Sequence, residues 1–280
     1  RLTDIYLGVA ALSLNNRDWQ ITQPQLEVDQ FSSSILGQGE PVVTMKRLPE
    51  SQRMDHLVQK RHIHGEQMRN LAALIARFHR NAKPQSGESL KQIWQEHWSE
   101  LGRLLESARK NAAFSSIMNG LRLPQWKDIL GRIWPLQQKR AQQLMIRDVH
   151  GDLHCKNIFL TPEPVIFDCI EFNPHYRYID SGEEVAMLYA DLLRLEAPAL
   201  ALEFIKAYQS AYPQADIDQE DPLFVYYCTY RLSVRFKVLL IKYLDSDNSL
   251  NSAVSDKNEL ESEMKFLKIF LEKLADLLAR

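Results

Sequence analysis

Residues Val149–Asn173 read VHGDLHCKNIFLTPEPVIFDCIEFN, and the rest of the chain is interpreted around them. The helical rhythm that precedes this stretch breaks at Ile146. Two short apolar runs, NIFL and PVIFD, are then joined by the proline-rich TPEP, a pattern that predicts a β-hairpin with polar residues at its ends. The polar residues have a definite spacing: Asp152 stands two after His150, Asn157 five after Asp152, and Asp168 at the end of the second run. A carboxylate held in a loop can orient a hydroxyl and accept its proton. An amide oxygen and a second carboxylate are the hard oxygen donors that suit magnesium carried on phosphates. This H-x-D-x-x-x-x-N layout with a later aspartate is a phosphoryl-transfer pattern, in which placement and charge neutralisation dominate catalysis.

Upstream, Trp19 to about Leu48 favours strands: DWQIT, EVDQFSSSIL and VVTMKRL, with GQGEP as a turn containing Gly37, Gly39 and Pro41. After Pro49 the pattern turns helical. EQMRNLAALIARFHR places Met68, Leu71, Leu74, Ile75 and Phe78 at helical spacing, and Lys83-Pro84 ends it. ESLKQIWQEHWSELGRLLESA and PQWKDILGRIWPLQQKRAQQL are expected to pack as a helical pair. Downstream, DSGEEVAMLYADLLRL opens with Asp180 followed by Glu183, the spacing of a capping box, and three more helical stretches run to Arg280. SDNSLNSAVSDK is expected to be a mobile loop. Residues 1–50 are therefore read as one small unit and 51–280 as a larger helical one.

The bulk numbers exclude several classes. With 280 residues and 45% hydrophobic content the chain can bury real cores. Its 34 Lys plus Arg against 36 Asp plus Glu provide no general attraction for nucleic acid. Three cysteines, Cys155, Cys169 and Cys228, are too few and too scattered for a disulfide framework, which fits a reducing, cytoplasmic setting. PLFVYYCTYRLSVRFKVLLIKYL is interrupted by Arg231, Arg235 and Lys237 and reads as a buried helix rather than a membrane span, and no signal peptide is visible. A start at Arg1 without methionine is read as a piece of a longer parent chain.

The segments HGDLHCKNI and IFDCIEFNPHYRYIDSGEEVAMLYADL resemble the aminoglycoside phosphotransferase and choline kinase-like family of small-molecule kinases. Within it they are most similar to a bacterial group whose members often carry an additional P-loop kinase-like domain. The likeness is sharp over Val149–Leu192 and looser elsewhere. It implies an α+β, protein-kinase-like fold: a partial N-terminal antiparallel β lobe with a hinge strand over residues 1–50, and a helical catalytic and substrate-binding lobe over 51–280. It implies ATP and Mg2+ as cofactors and a small-molecule hydroxyl as phosphate acceptor, with neither nucleic acid nor membrane as partner. Asp152 matches the catalytic base, and His150 would brace its loop. Asn157 and Asp168 match the metal ligands. Lys156 is a candidate for a phosphate, and Glu171 and His154 for substrate or for support around the metal. Asp180, with Arg177 as its donor, matches the aspartate that pins the catalytic loop. The loop over the phosphates, the strand lysine and its helix glutamate are missing here, and LTDIYLGV resembles the segment just after that glutamate, so they are expected upstream. Lys46 falls on what resembles the hinge and is not taken for that lysine. No GxxxxGK[ST] occurs, so the P-loop domain of that group is absent from this sequence, and any additional domain would belong to a longer parent chain.

Plainer readings compete for several residues. His62 and His64 lack a nearby third ligand and are read as polar residues at a helix entry. Trp94, Trp98, Trp126 and Trp134 are read as packing residues. Neither Cys155 nor Cys169 has a basic group forced beside it, so a nucleophilic role is not expected. Two alternatives to the kinase reading stand: a pseudokinase or truncated interaction module that does not hold ATP productively, and a metal-dependent phosphohydrolase, which needs two close metals where one ligand pair is found.

Overall fold

The computed structural model describes residues 5–15, 18–22, 39–110, 121, 123–245 and 250–279. Near the N-terminus, β1 (Tyr6–Asn15), β2 (Asp18–Ile21) and β3 (Glu40–Met45) form an antiparallel sheet in the order β2-β1-β3. Leu12 of β1 faces Ile21 on one side and Glu40 on the other. Gly39 leads into β3 at φ 155°, and a Cβ there would collide with the carbonyl of Leu12. DWQIT and VVTMKRL supply β2 and β3 as expected. EVDQFSSSIL and Gly37 lie outside the described residues.

Helices dominate from Met54 onward: α1 (Met54–Gln59), α2 (Gly65–Asn81), α3 (Leu90–Arg109), α4 (Trp126–Gln142), α5 (Ser181–Arg194), α6 (Pro198–Ala211), α7 (Pro222–Asp245) and α8 (Leu250–Ala279). The chain is thus mixed α+β, with a small antiparallel sheet at the start and a helical remainder. Met68, Leu71, Ala72, Ile75, Ala76 and His79 repeat at three- and four-residue steps on α2 and are buried against the core. Each fully buried large apolar side chain among them contributes about 1.5–3 kcal/mol. Leu74 and Phe78 depart from that stripe. Phe78 is 39% exposed, and both side chains line a cleft instead.

Aromatic contacts couple α3 to α4. The Trp98 ring stacks on Trp126 with centroids 3.3 Å apart, and Trp94 meets Trp134 edge-on at 6.1 Å. The expected pairing of these helices is therefore present, and the tryptophans pack as anticipated. Helix α5 is buried on nearly every side, with Val185, Ala186, Leu188 and Leu192 in the main core. A helix surrounded by other helices has no solvent face on which to keep charges, yet Glu183, Glu184 and Asp191 are buried in it. Their partners define the site.

Two short sheets stand between α4 and α5. β5 (Ile158–Phe159) pairs antiparallel with β6 (Val165–Ile166), the hairpin expected around TPEP. β4 (Ile146–Asp148) pairs antiparallel with β7 (Tyr178–Asp180), a contact across thirty residues that no local pattern announced. The loop expected over SDNSLNSAVSDK differs from the structure: α8 already begins at Leu250, and residues 246–249 lie outside those described. His64 caps the start of α2, in line with the ordinary reading of that histidine.

Candidate active site

The β4–β5 loop carries His150, Asp152, His154, Lys156 and Asn157, and its backbone is held from several directions. Gly151 N–H donates to Glu184 Oε1 at 2.6 Å, and Cys155 N–H donates to Asp191 Oδ2 at 2.9 Å. His150 Nε2 lies 2.7 Å from the Phe167 carbonyl. A carbonyl only accepts, so that nitrogen carries the proton, which leaves Nδ1 to accept from Asp152 N–H at 3.3 Å. The Phe167 N–H in turn donates to the Asn157 carbonyl. Loop and hairpin are thereby one hydrogen-bonded unit, with His150 as the brace.

Within that unit the Asn157 side chain reaches back to Asp152. Its Nδ2 donates to the Asp152 carbonyl at 3.0 Å and to Oδ2 at 3.2 Å. Both partners are acceptors, so the amide orientation follows, and Oδ1 is the atom left to meet a cation. His154 Nδ1 accepts from Lys156 N–H, and its Nε2 lies 3.3 Å from Asp152 Oδ2. Burial alone would raise the Asp152 carboxyl, but the His154 hydrogen bond, with the Arg231 charge adding to it, helps to hold it below the usual carboxylate range. It stands as an acceptor at neutral pH. Lys156 is exposed on the 3-10 turn after His154.

Asp168 sits just past β6 at φ 63°, a left-handed conformation uncommon for a residue with a side chain. Its N–H donates to the Tyr6 hydroxyl of β1 at 3.2 Å. The residue is exposed and lines a cleft of about 440 Å³ together with Tyr6, Phe78, His150, Glu171 and Arg177. That volume suits a small molecule. Magnesium on a phosphate takes one or two protein oxygens and fills its shell with phosphate and water; Asn157 Oδ1 and the Asp168 carboxylate are hard oxygen donors of that kind, Asp168 on the cleft and Asn157 outside its lining. Among the described residues no set of three or more His, Cys, Asp and Glu is arranged to cage a metal.

The structure reassigns one expected pair. Asp180 is fully buried, but its donor is Arg140, through Nε to Oδ2 at 2.8 Å and Nη2 to Oδ1 at 2.7 Å. Arg177 lies instead against Asp148 at 3.3 Å, because β7 pairs with β4 and brings those residues together. Asp180 caps α5 through Gly182 N–H at 2.6 Å, but Glu183 does not complete a capping box: it pairs with Arg231 Nη2 at 2.7 Å. The loop is held from α5 by Asp191 and by Glu184. The second oxygen of Glu184 lies 2.7 Å from His79 Nε2, and both residues are buried. Burial would push the Glu184 carboxyl up, but the hydrogen bonds from His79 and from Gly151 N–H, with the electrostatic pull of His79, together outweigh it and the group is held below the ordinary glutamate value.

Glu184, His79, Asp191 and Arg231 were missed in the sequence, although the signal was present. Three carboxylates at positions 183, 184 and 191 of a helix otherwise apolar on most faces are unusual without buried partners. Cys155 is fully buried and its thiol is pushed well above the ordinary value by that burial, with Asp191 adding to the shift, in keeping with no nucleophilic role. Cys169 lies 3.8 Å from Glu171 Oε1.

Over 243 residues the chain is 28% identical to uncharacterized proteins of Mycobacterium tuberculosis strains H37Rv and CDC 1551 and of Mycobacterium bovis. The match covers 84% of this chain and 47% of each relative, so the chain spans about half the length of the curated relatives it matches. No helix among the described residues is long and apolar enough to cross a membrane. The family model described as "phosphotransferase enzyme family" matches residues 29–218, a span that contains the braced loop, its hairpin and the helix that holds them. The chain belongs to that phosphotransferase family.

Proposed function

We propose that this chain forms the catalytic part of a kinase that moves the γ-phosphate of ATP to a hydroxyl of a small molecule. Asp152 orients the acceptor hydroxyl and takes its proton, while Asn157 Oδ1 and the Asp168 carboxylate hold Mg2+ on the nucleotide phosphates. His150 braces the loop. Lys156 is available to a phosphate, and Glu171 and His154 border the acceptor. Residues 51–280 act as the catalytic and substrate-binding lobe and 1–50 as part of the nucleotide lobe, inside a longer protein that carries a further, P-loop kinase-like domain. The setting is cytoplasmic.

The observation that carries this reading is the pair of hydrogen bonds that Asn157 Nδ2 donates to the Asp152 carbonyl and carboxylate. It ties the group that would aim the alcohol to one that would hold the cation, and it frees the oxygen rather than the nitrogen for metal. Such a tie fixes the separation of acceptor and phosphate, which is most of what phosphoryl transfer asks of a protein. The test is Asp152→Asn in the full-length protein: phosphoryl transfer from Mg-ATP should fall by about 10²–10⁴-fold, the range of a lost general base. Unchanged turnover would refute the assignment.

A further inference from the structure

We infer that Arg231, on α7, is a positioning residue for this phosphoryl transfer, acting through the Gly151–Asp152 peptide rather than on the substrate; the inference rests on the function proposed above. A complete account of the two peptides around Gly151 points there. In the first, the His150 carbonyl accepts from Ile170 N–H at 3.1 Å, and Gly151 N–H donates to Glu184 at 2.6 Å. In the second, Asp152 N–H donates to His150 Nδ1, and the Gly151 carbonyl accepts from Arg231 Nη1, both at 3.3 Å. The second peptide leads directly into Asp152. Arg231 is the group from outside the loop that holds it.

Arg231 is itself fixed. Its Nη2 lies 2.7 Å from Glu183 Oε1, its side chain is 10% exposed against 1% for Glu183, and the guanidinium packs over the Tyr230 ring at 5.7 Å. Consecutive glutamates of α5 therefore govern the two sides of Gly151: Glu184 takes the N–H directly, and Glu183 sets the carbonyl through Arg231. The planar guanidinium suits this task because its two terminal nitrogens address two acceptors in one rigid fork, which an ammonium cannot do. Gly151 stands at φ 85°, with a would-be Cβ 2.8 Å from the Tyr176 carbonyl, so no side chain at that position can supply the restraint. With both terminal nitrogens engaged and the side chain almost wholly covered, Arg231 acts on the loop rather than on a ligand.

Gly151–Asp152 is the only Gly–Asp step in the sequence given, so carbonyl-13C glycine with 15N aspartate yields a cross-peak for this peptide, identified in the full-length protein as the one that disappears in Asp152→Asn. In full-length protein, Arg231→Lys should move that carbonyl resonance upfield. It should lower ADP formation from Mg-ATP on the order of 10- to 100-fold, the effect of a small misplacement, with KM for Mg-ATP unchanged. The paired variant Glu183→Gln with Arg231→Met removes both buried charges, guards against a folding failure of the single change, and should show the same two effects. The inference is overturned if the carbonyl does not move, or if it moves and turnover stays at the parent level while Asp152→Asn abolishes it. If Asp152→Asn itself is without effect, the phosphotransfer reading falls and this inference with it.

Discussion

Replacing Asp180 with alanine is expected to cost about 3–5 kcal/mol of stability, because it leaves the Arg140 guanidinium buried without its counter-charge. Asp180 is fully buried, takes two donors from Arg140 and also caps α5 through Gly182 N–H. The lost cap accounts for about 1 kcal/mol of that cost. Arg140 also donates to the Ala215 carbonyl, so it cannot swing out to water without breaking a further contact. Its own pKa shows the balance: burial would lower it, but the charge and hydrogen bonds of Asp180 prevail and raise it. A double-mutant cycle isolates the pair. Asp180→Ala combined with Arg140→Met no longer buries a lone charge, so the double change should cost less than the sum of the singles by about 2–3 kcal/mol. The same cycle with Arg177→Met should be additive within about 0.5 kcal/mol, since Arg177 lies against Asp148. Urea unfolding followed by tryptophan fluorescence, with the slope of the transition unchanged, measures both. A larger coupling of Asp180 to Arg177 than to Arg140, or a cost below about 1 kcal/mol for Asp180→Ala, would refute the argument.

The adjacent glutamates of α5 should respond to pH in opposite senses. Burial pushes Glu183 up to about 7, against the pull of Arg231, so its contribution is complete below the ordinary glutamate value of 4.5 and is lost as pH rises through about 7. Glu184 is held below its ordinary value, so its contribution is present above 4.5 and is lost as pH falls through the folded value. Relative to the parent, Glu183→Gln should therefore gain in stability across pH 4.5 to 7, and Glu184→Gln should lose least in acid; unfolding midpoints across pH give the slopes, and slopes of the same sign would contradict the two environments. Gly151→Ala should destabilise by about 1–2 kcal/mol for its left-handed backbone, with more from the approach to Tyr176, and a neutral result in thermal unfolding would mean the loop is freer than its hydrogen bonds imply. Trp94 is completely buried among Trp134, Tyr226 and Tyr230, so Trp94→Ala should cost about 3–5 kcal/mol in urea, and a loss under 1 kcal/mol would mean that cluster repacks freely.

Local pattern carried some elements completely. The hairpin around TPEP was legible because two apolar runs with a proline-rich turn admit few alternatives, and α2 was legible because its apolar residues keep a helical step. The same step misplaced Phe78. Periodicity tells which residues share a face but not what covers that face, and at this end of the stripe the cover is a cleft. The start of α8 was misjudged for a related reason: Leu250 onward is polar and lacks a helical stop signal, and its helix continues into residues that pack against α7.

For the candidate site, the grouping of His150, Asp152 and Asn157 was determined by the sequence alone, since one short loop between β4 and β5 carries all three, whereas Asp168 lies past β6 and reaches the cleft through the hairpin. The partners that orient them were decided by tertiary structure. Glu184 is 33 positions from Gly151, and Arg231 is 80. Arg140 displaced Arg177 as the partner of Asp180 because the pairing of β4 with β7 turned Arg177 toward Asp148. A buried carboxylate requires a donor, and chemistry announces that need from the sequence. Which donor meets it depends on how helices pack over long chain separations, where many arginines are equally plausible in one dimension and a single one arrives in three.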